Sequence, residues 1–228
     1  MSSVLIVGGS GGLGREIARY YAQRGDSVVV TSRSAERAEQ AASEIGGDTR
    51  GLAVDLAEPE TIEKALADVG EVDHLVITAI EQYGNTVKDF SITDAIRAST
   101  VKLVGYTEVA RVLHERFRPG ASIVLFGGLG KVRPYPGSTM ITATNSAVSG
   151  VMRTLAVELA PVRVNALHPG VVGDSPAWAD RDQSIVSDRT PTGRATTTAE
   201  VVDATDFLLR NGAANAIDLH LDGGIRVA

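Results

Sequence analysis

The sequence predicts an α/β protein with a doubly wound parallel sheet of about seven strands and helices on both faces. Short, continuous apolar runs rich in β-branched residues are typical of strands that are buried on both faces. Helical stretches lie between these runs, and strand–helix alternation builds a parallel sheet. A glycine-rich turn between the first strand and the first helix is the third observation that favours this class.

The predicted elements follow one another without a repeat or a linker. Strand patterns occur at residues 4–7, 27–31, 74–77, 122–126 and 162–167. Helical patterns occur at residues 13–24, 35–45, 59–69, 93–116 and 139–159. A chain of 228 residues can form one such domain, so we expect a single domain over residues 1–228. Residues 173–197 are the least regular stretch and are the expected substrate loop.

Composition excludes several classes of function. The net charge of −6 does not favour a nucleic-acid or an anionic-membrane partner. The absence of cysteine excludes disulfides and cysteine-ligated metals. The chain enters an apolar strand almost at once, and it shows neither a signal peptide nor a long apolar span. We therefore expect a cytoplasmic protein with no metal and no membrane partner.

The strongest motif lies between the first strand and the first helix. Gly8, Gly12 and Gly14 form a GxxxGxG pattern there. A tight turn and a close approach of backbone to a pyrophosphate both need residues without Cβ, and the helix N-terminus offers free N–H groups to phosphates. The context of strand, turn and helix is the one that a Rossmann dinucleotide site requires. The residues of this turn that we expect to contact the cofactor are Gly8, Ser10, Gly12, Leu13 and Gly14.

The end of the second strand indicates which dinucleotide binds. Dinucleotide sites that prefer NAD usually have an acid there for the ribose 2′-hydroxyl. This chain has Ser32, Arg33 and Ser34 instead. Arg33 can form a bidentate contact with a 2′-phosphate, and the two serines can add hydroxyl donors. These residues predict NADP(H); the alternative is that Arg33 is a solvated loop residue.

Further landmarks appear in a characteristic order along the whole chain. These are Asp55-Leu56, Asn165-Ala166-Leu167-His168-Pro169-Gly170, Thr192-Gly193-Arg194 and Leu221-Asp222-Gly223-Gly224. In this order they resemble the short-chain dehydrogenase/reductase family. The resemblance implies that Asp55 and Leu56 lie at the adenine, and that Pro169 and Gly170 lie beside the nicotinamide. It also implies a homo-oligomer, a dimer or tetramer paired through the fourth and fifth helices.

The sequence departs from the family pattern where the family places its catalytic groups. Ile77-Thr78-Ala79-Ile80 stands for the family's Asn-Asn-Ala-Gly, and Thr78 and Ala79 are still expected to line the cofactor. Glycines stand at 127 and 128, where the family has its active-site Ser. Ile141 and Asn145 stand where it has its Tyr and Lys, and Lys102 stands where it has an Asn. The loss of a general acid typically lowers the rate by about 10²- to 10⁴-fold.

The substitutions at Lys102 and Asn145 suggest an exchange. The family's Asn on helix four and Lys on helix five are present here with the two types reversed. We expect the Lys102 ammonium to reach the position of the family's lysine charge and to bind the cofactor, with Asn145 supplying the amide. A partly desolvated ammonium would also be able to donate a proton. The alternative is a solvent-facing lysine with Asn145 bonded locally.

Other side chains are candidates for the missing acid. Tyr135 lies in a proline-rich loop that we expect to border the pocket. Tyr106 is four residues beyond Lys102 and shares its helix face, although a packing role is the more common one. Tyr83 and His168 are weaker candidates, and His168 can equally be a satisfied strand-end residue. Asp174 is expected to be a loop cap.

Three functions fit these observations. The first, which we favour, is an NADP(H)-dependent oxidoreductase that acts on a small-molecule carbonyl or alcohol through a non-standard site. The second is a non-redox enzyme of the same fold, a cyclase or isomerase that retains NADP(H). The third is a binding protein that senses NADP(H). Hydride transfer is cofactor chemistry, so an activated substrate needs less help from the protein.

Overall fold

A computed structural model describes residues 1–81 and 84–228, and its centre is one parallel sheet of seven strands. The strand order is β3-β2-β1-β4-β5-β6-β7. The strands are β1 (Ser3–Val7), β2 (Ser27–Ser32), β3 (Thr49–Ala53), β4 (Val72–Ile77), β5 (Phe117–Phe126), β6 (Arg163–Pro169) and β7 (Asp218–Leu221). The predicted fold class is therefore confirmed. The candidate Tyr83 lies outside the described residues.

The strand order reverses between β1 and β4, which are adjacent in the sheet but separated in sequence by β2 and β3. Open α/β sheets bind their ligands in the crevice beyond the carboxyl ends of the strands at such a switch point. The glycine-rich turn follows β1 and Thr78 follows β4. The topology therefore places the two at the mouth of one crevice.

The helices cover both faces of the sheet. They are α1 (Gly12–Gln23), α2 (Ala35–Ile45), α3 (Ile62–Ala65), α4 (Ile92–Ser99), α5 (Tyr106–Leu113), α6 (Thr139–Glu158), α7 (Ser184–Ser187) and α8 (Thr198–Arg210). Each face has its own apolar core. One core lies around Leu5, Leu75 and Leu125, and the other lies around Ile6, Val76 and Val124. Within the described ranges, no helix has the length and apolar character needed to cross a membrane.

The helix predicted at residues 59–69 is shorter than expected. A 3-10 turn, Pro59–Thr61, leads into α3, which ends at Ala65. The Arg116 guanidinium donates hydrogen bonds to the backbone oxygens of Leu66 and Val69, at 2.6 and 2.9 Å. Tertiary hydrogen bonds therefore take carbonyl groups at the end of the helix, which local sequence could not reveal.

The helix predicted at residues 93–116 is interrupted. A π-helical segment, Thr100–Gly105, joins α4 to α5, and a 3-10 turn follows α5. A Cβ at Gly105 would lie 2.7 Å from Leu56 Cβ and 2.8 Å from Leu56 O. The glycine therefore lets this segment approach the loop after β3. Single-turn π segments inside helices frequently mark functional sites, and this one contains Lys102.

Three strands differ from their predicted ranges by two residues or more at one end. β4 begins at Val72 rather than at residue 74. β5 begins at Phe117 rather than at residue 122, and Phe117 pairs with Val72 of β4. β6 begins at Arg163 and extends to Pro169. Pairing with neighbouring strands sets these ends, and a strand's own apolar pattern does not contain that information.

Candidate functional site

The glycine-rich turn is held by close contact between backbones. Gly8 has φ +88°, and a Cβ there would lie 2.7 Å from the backbone nitrogen of Ala79. A Cβ at Gly14 would lie 2.5 Å from both Gly8 O and Thr78 Oγ1. Thr78 donates to the oxygens of Val7 and Gly8, at 3.2 and 3.3 Å. The predicted residues Gly8, Gly14, Thr78 and Ala79 are thus brought together at the switch point.

Two glycines that lie between Gly8 and Gly14 face open space. A Cβ at Gly11 or Gly12 would meet no atom of residues 1–81 and 84–228 within 4 Å. Among the described residues, no side chain caps α1 through a hydrogen bond, so N–H groups of its first turn are available for an anion. A cleft of about 460 Å³ runs from Gly12 and Leu13 to Asp174 and Ser175, beyond the end of β6. These open donors beside a cleft fit the phosphates of a dinucleotide.

The predicted ribose and adenine residues lie at the ends of β2 and β3. Arg33 keeps 61% of its side chain exposed. Ser34 is the N-cap of α2 and accepts a hydrogen bond from the backbone of Arg37 at 3.4 Å, so its hydroxyl already has one partner. Asp55 accepts from the backbone of Ala57 at 2.9 Å. Ser32 ends β2 and is half-buried, as is Ser10 in the glycine turn.

Two residues that sequence reasoning did not select join this end of the site. Glu81 follows β4 and forms ion pairs with Arg33 at 3.8 Å and with Arg97 of α4 at 3.4 Å. Arg97 also lies 3.9 Å from Asp55. These four side chains come from four separate parts of the chain, so no sequence spacing signals the cluster.

Tyr106 connects the ends of two neighbouring strands through its hydroxyl group. It is fully buried, and its hydroxyl donates to Ala79 O at 2.8 Å, with Phe126 O at 3.3 Å. Burial raises the pKa of its phenol. Tyr106 therefore holds together the ends of β4 and β5 and is poorly suited to release a proton.

Lys102 is buried rather than directed into solvent. It is 5% exposed, and its Nζ lies 5.7 Å from the centre of the Tyr106 ring. Across residues 1–81 and 84–228, no hydrogen bond or ion pair involves the Lys102 ammonium. Burial lowers the pKa of Lys102 to about 7. The group is therefore poised to hold or release a proton near neutral pH.

Asn145 lies on α6, which packs against the π-helical segment. It is 8% exposed, and in the described part of the chain its carboxamide forms no hydrogen bond, either with Lys102 or with another residue. A Cβ on Gly128 would lie 3.0 Å from Asn145 Nδ2. The carboxamide of Asn145 therefore fills the space that a side chain at position 128 would need.

The need for glycine at position 127 comes from a different neighbour, His168. A Cβ there would lie 2.1 Å from His168 Nδ1. That nitrogen accepts the Gly128 N–H at 3.2 Å, and Nε2 lies 2.5 Å from Asp218 Oδ1, which places the proton on Nε2. Burial lowers the pKa of His168 to about 4, so the ring is neutral at pH 7. His168 is a satisfied strand-end residue that holds the loop after β5.

A polar network that the sequence did not reveal supports His168. Lys131 pairs with Asp218, and Lys131 Nζ lies 2.5 Å from Ser149 Oγ. Ser149 in turn donates to Asp218 at 3.0 Å. The members come from the loop after β5, from α6 and from β7. The loop beside Gly128 is therefore tied to two other elements.

The remaining predicted residues lie around this loop and at the end of β6. Tyr135 is 55% exposed, and its backbone N–H donates to Ser138 Oγ at 2.9 Å. Its ring is thus not packed against Lys102 or Asn145 in a buried cluster. Pro169 ends β6, and the Gly170 N–H donates to Leu221 O at 2.9 Å.

Asp174 confirms the expectation of a loop cap. Its Oδ1 accepts from both the backbone N–H and the hydroxyl of Thr198, at 2.8 Å each. The contact fastens the start of the irregular stretch to the first turn of α8. Over the described residues, no cluster of three His, Asp or Glu side chains offers a metal site.

Comparison with known proteins assigns the fold to a family. A family profile described as "Enoyl-(Acyl carrier protein) reductase" matches residues 8–226. L-xylulose reductase from Mesocricetus auratus is 31% identical, over 98% of this chain and 96% of that protein. The chain belongs to the short-chain dehydrogenase/reductase family. Membership supports the expectation of an oxidoreductase that uses a nicotinamide cofactor.

Other members of the short-chain dehydrogenase/reductase family match along almost the whole chain. The 3-oxoacyl-[acyl-carrier-protein] reductase of Bos taurus is 27% identical over 97% of both proteins. A dehydrogenase/reductase structure from Sinorhizobium meliloti is 27% identical and covers 98% of this chain and 94% of its own, with a TM-score of 0.89. The agreement extends beyond the dinucleotide half to the strands and helices that carry Lys102, Gly128 and Asn145.

Proposed function

We propose that the chain is an NADP(H)-dependent oxidoreductase that reduces a small-molecule carbonyl, or oxidises the matching alcohol, with a non-standard set of catalytic groups. Family membership supports redox chemistry, and several relatives bear the names of reductases. The open space at Gly11 and Gly12, at the start of α1, supports dinucleotide binding. Arg33, in place of an acid after β2, supports the preference for a 2′-phosphate.

The observation that carries this proposal is a pair of largely buried polar side chains, Lys102 and Asn145, beside the cofactor crevice. Both are more than nine-tenths buried, and neither forms a hydrogen bond within the described parts of the chain. Among the described residues, neither polar end is sealed from solvent without a partner, so both remain open to a ligand in the crevice.

In this proposal, Asn145 holds the reacting oxygen of the substrate. The Gly128 backbone is extended, with φ 178°, so a side chain is excluded there by space and not by conformation. Without a side chain at 128, Asn145 Nδ2 can stand where the family's Ser would present its hydroxyl. The amide N–H is a donor, and it would stabilise negative charge that develops on a carbonyl oxygen.

Lys102 supplies the proton in this proposal. A nicotinamide cofactor, once bound in the crevice, would supply hydride chemistry for the carbonyl carbon. Since the pKa of Lys102 is lowered to about 7, its ammonium can donate a proton to the oxygen and regain one from solvent near neutral pH. Ile141 cannot perform this step because it carries no ionisable group.

Turnover with a panel of small aldehydes, ketones and quinones tests the proposal. NADPH oxidation is followed by absorbance for the parent, Lys102→Met, Asn145→Ala and the control Lys64→Met, whose lysine is exposed on α3. We expect the parent to reduce at least one compound. We expect Lys102→Met and Asn145→Ala to lower kcat by about 10²-fold or more, and Lys64→Met to match the parent.

Two results would contradict the proposed function. Full activity of Lys102→Met would remove Lys102 from the chemistry. Tight NADPH binding without reduction of any compound in the panel would instead favour a binding protein or a non-redox enzyme.

Three further expectations stay predictions. One is that residues 1–228 form a single domain, and another is that residues 173–197 contact the substrate, with Tyr135 bordering the same pocket. The third is a homo-oligomer: Ala143 and Gly150 are exposed on α6, while Ala156 is buried against the chain's own core. Mass measurement by light scattering addresses the oligomer directly.

A further inference from the structure

A cluster of four charged side chains lies at the carboxyl edge of the sheet, on the side of the proposed adenosine. Arg33 follows β2, Asp55 follows β3, Glu81 follows β4, and Arg97 lies on α4. The carboxyl ends of these strands line the crevice in which open α/β sheets bind ligands. The cluster therefore borders the position expected for the adenosine half of a dinucleotide.

The Glu81 carboxylate lies between two guanidinium groups. Its Oε2 is 3.8 Å from Arg33 Nη1, and its Oε1 is 3.4 Å from Arg97 Nε. One carboxylate oxygen thus faces each arginine. The space between Arg33 and Arg97 therefore accommodates an anion. In this structure the anion is the Glu81 carboxylate.

These ion pairs are loose. Charge-assisted hydrogen bonds between guanidinium and carboxylate are usually about 2.7–2.9 Å long, well below the separations found here. Arg33 is 61% exposed and Arg97 is 36% exposed, so water also screens both pairs. Glu81 is therefore held weakly and can be displaced by a stronger anion at small cost.

A phosphate monoester is such an anion. It carries about −1.5 to −2 charges at neutral pH and three acceptor oxygens, against one charge and two oxygens for a carboxylate. Two guanidinium groups from different elements can both donate to it. The dinucleotide in the proposed function carries this group at the adenosine 2′ position.

We propose that Arg97 is a second arginine of the 2′-phosphate site and that Glu81 is a displaceable carboxylate which keeps Arg33 and Arg97 apart and facing each other until the phosphate enters. The inference rests on the proposed binding of NADP(H). It adds a specificity-determining residue on α4, far in sequence from the end of β2. Asp55, 3.9 Å from Arg97, keeps that arginine at the edge of the site.

Binding of two small nucleotides tests this inference without any turnover. Calorimetric titrations compare adenosine 2′,5′-bisphosphate with adenosine 5′-monophosphate, which lacks the 2′-phosphate. We expect Arg97→Gln to weaken binding of the bisphosphate about 10-fold and to leave the monophosphate unchanged. We expect Glu81→Gln to tighten binding of the bisphosphate about 2- to 5-fold, because a competing anion has been removed.

A matched pair of control variants lies elsewhere on the surface. Arg111 and Glu63 form an exposed ion pair at 2.7 Å between α5 and α3. Arg111→Gln and Glu63→Gln remove the same charges as the test variants, and we expect both to bind the two nucleotides as the parent does. Melting temperatures within 1–2 °C of the parent, in the range normal for surface changes, verify folding.

Each remaining outcome contradicts either the inference or the proposed function. Arg97→Gln that leaves bisphosphate binding unchanged, or that weakens both nucleotides equally, overturns the role of Arg97. Weaker bisphosphate binding by Glu81→Gln overturns the role of Glu81. If the parent binds both nucleotides equally, the proposed 2′-phosphate site is overturned. NADPH-dependent turnover in the same sample would still leave the oxidoreductase proposal standing. If Arg97→Gln selectively weakens binding of the bisphosphate but the parent shows no turnover, the inference about Arg97 stands and the oxidoreductase proposal does not.

Discussion

The two ends of the crevice are built by different means. At the dinucleotide turn, backbone atoms exclude side chains: a Cβ at Gly14 would meet Gly8 O at 2.5 Å. At the loop after β5, side chains exclude one another: a Cβ at Gly127 would meet His168, and one at Gly128 would meet Asn145. At the first end, positions 8 and 14 leave no room for a side chain, whereas the neighbours at the second end are side chains that can change together.

This difference is the physical reason behind the prediction that the catalytic end departs from the family pattern while the dinucleotide turn follows it. Backbone positions in a βαβ turn are fixed by the sheet and helix around them, so the residue type is fixed as well. A catalytic end built from side chains can keep hydrogen-bond donors while exchanging the residues that carry them. Variants at each end can break or sharpen this comparison.

The largest effect is expected at Gly14. In Gly14→Ala the new methyl group collides with Gly8 O and Thr78 Oγ1, each 2.5 Å away, and backbone cannot move aside as a side chain can. We expect the free energy of unfolding to fall by about 3 kcal/mol and dinucleotide binding to be lost. Urea denaturation and fluorescence titration with NADPH measure the two quantities.

Gly11→Ala is the control for folding. Its Cβ points into open space and its backbone is extended at φ −164°, so we expect stability close to that of the parent. Equal stability of the Gly11 and Gly14 variants would show that the turn is not fixed by backbone contact.

A smaller effect, dependent on pH, is expected at Lys102. Burial lowers its pKa from 10.5 to about 7, so between these values the unfolded chain carries a proton that the folded chain has released. The contribution of Lys102 to stability therefore rises with pH from about 7 to 10.5, by up to about 1.4 kcal/mol per pH unit. Below pH 7 its burial penalty is fully present.

Lys102→Met removes this dependence. We expect the variant to be more stable than the parent at pH 7 and the difference to shrink as the pH approaches 10.5, as measured by urea denaturation at several pH values. Lys64→Met, with an exposed lysine, serves as the control. A constant difference between Lys102→Met and the parent across this range would mean that Lys102 is not buried as a neutral amine.

The smallest effect is expected at Gly128. In Gly128→Ala the methyl group lies 3.0 Å from Asn145 Nδ2, and the end of that side chain can shift. We expect a loss of about 1 kcal/mol that disappears when Asn145→Ala is already present, which a double-mutant cycle measures as coupling.

Gly127→Ala provides the contrast in the same loop. Its methyl group would meet His168 at 2.1 Å, so Asn145→Ala should not rescue it. A Gly128→Ala penalty that persists without the Asn145 side chain would separate the two positions and weaken the proposed placement of Asn145.

Local patterns in the sequence determined much of the molecule. Alternating apolar runs and helices predicted the parallel sheet, and the glycine pattern predicted the first βαβ unit. These succeed because strand burial and turn geometry leave signals within a few neighbouring residues. The exchange of Lys and Asn, inferred from Lys102 and Asn145, stays a prediction.

Only the tertiary structure decided what surrounds those residues. It buried Lys102, set Asn145 against Gly128, tied His168 to Asp218, and brought Glu81 between Arg33 and Arg97. It also ended α3 early through the hydrogen bonds of Arg116. The partners in each case come from distant parts of the chain, and charge state and hydrogen bonding depend on the distance and burial that packing alone fixes.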